Sequence, residues 1–190
     1  MLNSVATYGG YYIGRYETGD LSQATPVVKR INTDIASQTW YTKWKKARKL
    51  SGTSAGVQMI WGIQWDEALK WLIDSGEKTY SEVGSNSTSW GNYENNSFTY
   101  YTNTSKSTAT KSSGSQTRTP SGAFKGANSN NIYDLAGNVC DAILYSAGTS
   151  RCVRGGDFCS YGDNCPVAYR GYGAPYYISE ISRVTCIFIY

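Results

Sequence analysis

Between Tyr8 and Tyr16 the side chains alternate. Tyr12, Gly14 and Tyr16 fall on one side and Ile13 and Arg15 on the other, the two-residue period of a strand that Gly9 and Gly10 open. A loop follows from Gly19 to Pro26. The period then lengthens. Trp40, Trp44, Ala47 and Leu50 recur at spacings of four and three, which predicts a helix from an N-cap at Thr39 to about Leu50, ended by Ser51 and Gly52. In a second helical stretch Trp65, Ala68, Leu69 and Leu72 share a face. Asp66 and Glu67 fill its first turn, where the helix dipole favours acids, and Gly76 closes it. Ile60, Trp61 and Ile63 just upstream are expected to be buried, and the tryptophans generally to be packing residues.

From Ser85 to Asn130 the pattern dissolves into Ser, Thr, Asn and Gly with scattered aromatics such as Trp90, Tyr93, Phe98, Tyr100 and Tyr101. This reads as a long decorated loop region with room for one short hairpin, inserted in the domain and too poor in aliphatic residues to bury a core of its own. Order returns after Asn131, with apolar runs at Val139, Ile143 and Leu144, at Cys152 and Val153, and at Val184 to Tyr190, separated by glycine turns. The last run contains Ile187, Phe188 and Ile189 and reads as a buried closing strand. Two helices, short strands and much irregular structure make an α+β fold over one domain spanning 1–190.

Composition supports a folded chain. Charged residues are 17% and aromatics 14%, with 17 tyrosines in 190 residues. The net charge of +4 traces to Lys43, Lys45, Lys46, Arg48 and Lys49, which read as a solvated helix face, so no nucleic-acid partner is expected. No apolar stretch is long enough to span a membrane, and Met1 to Gly10 lacks the marks of a secretion signal; the abrupt start suggests a polypeptide that extends upstream. Five cysteines, Cys140, Cys152, Cys159, Cys165 and Cys186, with no C-x-x-C pair and no histidine, exclude the usual zinc patterns. They point to free thiols, with a Cys159 to Cys165 bridge as the alternative. The absence of histidine also rules out Ser-His and Cys-His nucleophile pairs.

Several strings occur in a telling order: Tyr11 to Glu17 (YYIGRYE), Gly62 to Ala68 (GIQWDEA), Trp90-Gly91-Asn92-Tyr93, Asn131 to Val139 (NIYDLAGNV), Arg154-Gly155-Gly156 and Ser182-Arg183-Val184. Together they resemble the formylglycine-generating-enzyme (sulfatase-modifying factor) family over nearly the whole chain, and the resemblance implies a C-type-lectin-like fold. In that family related turns carry calcium, which would direct attention to Asn138 and Asp141. One amide and one acid fall far short of the roughly six to eight oxygens that calcium takes, so no cofactor is expected.

The departures from the family cluster in one region. Where the family follows Gly-Asn-Val with Trp, Glu, Trp, this chain has Cys140, Asp141 and Ala142. Counting from Gly156, Ser160 and Cys165 stand where the family's oxidase has its copper-binding cysteine pair, and Cys159 lies one place early, which in an extended segment turns it to the other face. Ile181-Ser182-Arg183 replaces a closing Gly-Phe-Arg.

A scaffold kept upstream and changed over 140–181 is similar to the variable proteins of diversity-generating retroelements in phages and bacteria, in which a mutagenic reverse transcriptase rewrites adenine-bearing codons. Carried over by position, the varied ligand-binding residues would be Cys140, Ala142, Asp157, Cys159, Ser160, Tyr161, Asp163, Asn164, Cys165, Gly171, Tyr172, Gly173, Ala174, Tyr176, Tyr177, Ile178, Ser179 and Glu180. Independently of the resemblance, the stretch from Tyr161 to Tyr177 mixes Tyr, Ser, Gly, Asn and Asp as antibody paratopes do. The resulting expectation is a non-catalytic domain that binds a protein or glycan receptor on a cell surface, made in a bacterial cytoplasm and displayed on a phage particle or cell surface. The alternatives are a copper-dependent formylglycine-generating oxidase using Cys159 and Cys165, and an assembly protein of a phage particle.

Overall fold

The computed structural model describes residues 9–20, 22–33, 38–50, 56–176, 182–184 and 186–189, the last two stretches as backbone. In chain order the strands and helices are β1 (Tyr12–Ile13), β2 (Thr18–Gly19), β3 (Val27–Val28), α1 (Trp40–Ala47), β4 (Gly56–Met59), α2 (Gly62–Asp74) and α3 (Tyr80–Gly84). They continue as β5 (Phe98–Tyr101), β6 (Thr108–Lys111), β7 (Asn128–Ser129), β8 (Ile132–Tyr133), β9 (Cys140–Ala147), β10 (Ser150–Arg154), β11 (Arg170–Gly173), β12 (Ser182–Val184) and β13 (Cys186–Ile189). This is a mixed α+β architecture of few helices and short strands.

Two sheets organise it. β13 runs between β1 and β4, antiparallel to both, with Phe188 opposite Tyr12 and Val57, so the two ends of the chain close one sheet. The expected strand from Tyr8 to Tyr16 contracts to Tyr12–Ile13, because beyond Gly14 the backbone turns away: Tyr133 N–H donates to Arg15 O at 2.9 Å and the Tyr16 ring packs on Tyr133. Tyr8 lies outside the described residues. The second sheet has the order β11-β10-β9-β12, with β12 parallel to β9 and the other pairs antiparallel. Its long hairpin turns at Gly148 and Thr149, with Gly148 at φ 57°, the left-handed geometry that matches strand twist in a two-residue loop.

Both expected helices form. Thr39 caps α1, its hydroxyl accepting from Thr42 N–H at 3.3 Å. The second begins one turn earlier than the apolar face suggested, because the Gln64 side chain reaches back to accept from Trp61 N–H at 2.9 Å and so opens the helix at Gly62. That shift corrects an expectation. Ile60 is buried, but Trp61 and Ile63 are 44% and 55% exposed at the helix mouth. The short α3 was not foreseen; Thr79 and Glu82 form its reciprocal capping box at 2.8 and 3.2 Å.

The core gathers Trp65, Leu69 and Leu72 of α2 with Trp90, Tyr93, Leu135, Ile143 and Val167. Fully burying such a side chain contributes about 1.5–3 kcal/mol. A second cluster joins Trp40 and Ala47 of α1 to Met59 and Ala142. Lys43 shares that face of α1 and is fully buried, contrary to the solvated basic surface expected of it. Burial pulls its ammonium down to about 7, against the opposing pull of Cys140 and Asp141.

The polar segment 85–130 does hold a hairpin, β5–β6, and is more anchored than its composition suggested. Phe98 stacks on Phe124 at 3.9 Å beside Ala127, a small cluster built from rings instead of aliphatic residues. The buried Lys111 ammonium donates to the carbonyls of Tyr93 and Asn96 at 2.7 and 3.0 Å. Among the described residues, no helix is long and apolar enough to cross a membrane.

Candidate binding surface

The framework beneath the surface is a buried polar hub. Asn138, at φ 60°, accepts on its amide oxygen from Asn92 Nδ2 and Thr119 N–H, both at 3.0 Å, and donates to Glu17 Oε1 at 2.9 Å. Its side chain therefore ties together distant strings of sequence and does not merely stabilise its own turn. The oxygen that a metal would need is already taken by donors. Among the described residues, no group of three or more Cys, Asp and Glu is arranged to hold a metal. Gly137 is required by a close approach: it sits at φ 70°, where a Cβ would lie 2.4 Å from Asn92 O. Gly156, at φ 69°, is equally confined, a Cβ there lying 2.3 Å from Cys165 O.

Gly156 leads into the loop between β10 and β11. Asp157 organises it, one carboxylate oxygen accepting from Cys159 N–H at 2.9 Å and from the Ser160 hydroxyl at 2.7 Å. The loop is anchored on the opposite side by Ser87 and Glu94, whose N–H groups donate to Gly162 O and Ser160 O, each at 2.9 Å. Held in this way, Tyr161, Asp163, Asn164 and Cys159 are exposed, while Asp157, Ser160 and Cys165 are half-buried. Ser160 and Cys165, the positions counted from Gly156, do meet through a side-chain hydrogen bond. Cys159 faces Asp157 and Glu94 instead. Burial raises both thiols above the ordinary cysteine range, the nearby carboxylates adding to it, so thiolate is disfavoured at each. Cys140, Cys152, Cys159 and Cys165 are all free thiols.

The second exposed group lies on β11, an edge strand, and just beyond it. Tyr172 is 52% exposed and leans on Tyr145 of β9 with ring centres 6.4 Å apart. Tyr176 is 72% exposed and sits 6.2 Å from the Tyr41 ring on α1, near the point where Trp40 N–H donates to Pro175 O. Gly173 is half-buried and Ala174 exposed. Three of the positions carried over from the resemblance fall elsewhere. Cys140 and Ala142 point into the core from β9, and Gly171 is buried with Val153 Cγ2 only 2.9 Å from where its Cβ would be; none of them can present a side chain to a partner. Tyr177, Ile178, Ser179 and Glu180 lie outside the described residues.

Treponema denticola variable protein 1 superposes on this chain with a TM-score of 0.52, covering 98% of this chain and 80% of that one at 15% sequence identity. The two folds are related. CarF also aligns, with a TM-score of 0.49 at 12% identity, over 82% of this chain and 67% of that one. No family model matches the sequence, and no curated protein matches it.

What the Treponema variable protein shares with this chain is the fold, and beside the tyrosine surface lies a further group of side chains that the sequence pattern did not mark. Asp66, assigned above only to a helix dipole, bridges Arg154 and Arg170, the second contact at 2.6 Å. The ion pair joins the Gly62 to Ala68 string to the Arg154-Gly155-Gly156 turn. Around it, α2, β9 and β10 enclose a cavity of about 720 Å³ with Trp61, Ile63, Tyr145 and Arg151 in its walls. No periodicity in the sequence marks this group, since β9 is buried without alternation through Ile143 and exposed from Tyr145 onward.

Proposed function

We propose that this chain is a non-catalytic receptor-binding domain that presents an exchangeable set of side chains on a C-type-lectin-like scaffold, as variable proteins of diversity-generating retroelements do. The observation that carries the reading is a division between fixed and free positions. The strings around Asn138, Gly137 and Gly156 are locked by buried hydrogen bonds and close backbone contacts, whereas Tyr161, Asp163, Asn164, Tyr172, Ala174 and Tyr176 extend outward from them. Replacing an outward side chain costs the fold little. Tyrosines there supply contact area at low entropic cost, each buried anchor contributing about 2 kcal/mol on binding. The fold related to Treponema denticola variable protein 1 supports the same reading. A protein or glycan on a cell surface is the partner class, and a phage particle or bacterial surface the place of display.

The oxidase alternative would need two converging thiolates. Ser160 occupies one of the two adjoining positions, and burial disfavours the charged form of Cys165 in the other. A Cu(I) titration of the reduced protein gives no tight one-to-one complex on the binding reading; such a complex, lost in Cys165→Ser, would restore the oxidase.

The direct test is a displayed library. Randomising Tyr161, Asp163, Asn164, Tyr172, Ala174 and Tyr176 together should leave most members folded and yield binders to arbitrary protein targets. A matching library at Cys140, Ala142 and Gly171 should mostly unfold. If the first library unfolds as readily as the second, these side chains are structural and the reading is wrong.

A further inference from the structure

The cavity between α2 and the β9–β10 hairpin has a composition that the tyrosine surface lacks. Its volume of about 720 Å³ falls within the range of small-ligand sites, on the order of 300–1,000 Å³. Trp61 and Ile63 stand exposed at its mouth, and Ile143 and Leu144 contribute further apolar wall. Large exposed rings and aliphatics in a concave site seek an apolar occupant.

Set against this apolar wall are three guanidiniums, those of Arg151, Arg154 and Arg170, and one carboxylate, that of Asp66. Arg154 is 2% exposed. Its Nη2 meets Asp66 Oδ1, but its Nε and Nη1 have no hydrogen-bond partner. A buried guanidinium with two unanswered donors calls for a compensating group. Arg170 bonds Asp66 Oδ2 through Nη2 alone and is 55% exposed, which leaves the rest of its fork open to solvent. Arg151 stacks over Trp40 at 5.0 Å and keeps a third positive charge at the wall. One carboxylate is thus already held between two guanidiniums, with positive charge to spare beside an apolar surface.

We propose that this cavity binds a carboxylate carried on an apolar body, with the anion on the open fork of Arg170 beside Arg154 and the apolar part against Trp61, Ile63 and Leu144. Two sources have this chemistry: the C-terminal residue of a peptide with an apolar side chain, and a small aromatic or aliphatic acid. Asp66 already shows a carboxylate held among these guanidiniums by one donor from each, and the remaining donors of Arg170 can pair a second planar carboxylate at two points. The site is separate from the tyrosine surface, which it borders at Tyr145, and the inference does not depend on receptor display.

The test is a titration of the folded protein with N-acetylphenylalanine, followed by NMR of the Trp61 indole N–H and the arginine side-chain N–H signals. Saturable shifts at both are expected, with a Kd on the order of 1 mM for a ligand of this size. N-acetylphenylalaninamide, which lacks the charge, should bind about tenfold more weakly or not at all. Arg170→Gln, at an exposed position, should melt like the wild type yet weaken the acid about tenfold, and Trp61→Ser should do the same. A pentapeptide ending in phenylalanine that binds more tightly than the free acid identifies a chain terminus as the source; equal affinity identifies a small acid. The proposal fails if acid and amide bind alike, if phenyl phosphate binds where the acid does not, if no saturable shift occurs, or if Arg170→Gln leaves the affinity unchanged. None of these failures touches the display reading, which the library tests at other residues.

Discussion

Replacing Asn138 by alanine should remove more stability than the loss of one exposed turn residue would. Thr119 N–H loses the acceptor it holds at 3.0 Å and Glu17 loses an amide donor at 2.9 Å, both in the buried interior; Asn92 still has Thr117 O at 3.0 Å. Losing two buried hydrogen bonds, one of them to a carboxylate, costs about 1–3 kcal/mol each. Alanine at φ 60° adds about 1 kcal/mol, because its Cβ crowds the carbonyl in the left-handed region. The sum is about 5 kcal/mol, which at roughly 2–4 °C per kcal/mol for a chain of this size lowers Tm by about 10–20 °C. Calorimetry or circular dichroism measures it. Asn138→Gly, which removes the same hydrogen bonds but tolerates the backbone angle, should melt a few degrees above the alanine variant. Asn138→Asp keeps an acceptor but sets a second carboxylate against Glu17, so its deficit should shrink as the pH falls toward the carboxylate range. An alanine variant melting within about 2 °C of the wild type would refute the hub.

Other consequences follow from the same contacts. Gly137→Ala and Gly156→Ala should each destabilise strongly, because the added Cβ meets backbone oxygen at 2.4 and 2.3 Å; soluble variants with unchanged melting would contradict this. Lys43 has a folded-state value near 7 against about 10.5 unfolded, so its burial penalty is complete below pH 7 and fades as pH rises through that window. Measured against Lys43→Met, the wild type should therefore gain up to about 1.4 kcal/mol per pH unit between pH of about 7 and 9, and a gap independent of pH would show the lysine ordinarily solvated. Trp65→Ala should cost about 3–5 kcal/mol and Trp61→Ser well under about 1 kcal/mol, a contrast that follows from exposures of 1% and 44% and that denaturant midpoints can check.

Helical periodicity was legible where the apolar stripe was unbroken, and Thr39 announced its cap. The start of α2 was hidden because it depends on Gln64 reaching back to Trp61 N–H, which no apolar spacing reports. Lys43 belongs by composition to a charged run, yet its spacing from Trp40 and Ala47 places it on the buried stripe. In the candidate surface, Cys140 and Ala142 are buried with no alternation to show it, because Cys140 to Ile143 are all buried, Asp141 included. Asp66, Arg154 and Arg170 come from separate elements, 104 residues apart at the extremes, and only the folded chain brings them together.

The separation of exchangeable from locked positions is tested most directly by sequencing the DNA beside the gene. The prediction is a near-copy of the 3′ end, next to a reverse transcriptase gene, whose adenine differences fall in the codons of exposed residues such as Tyr161, Asn164, Tyr172 and Tyr176 and spare Gly156 and Gly171. A locus without such a copy, or one whose differences fall as often on the buried positions, would contradict it.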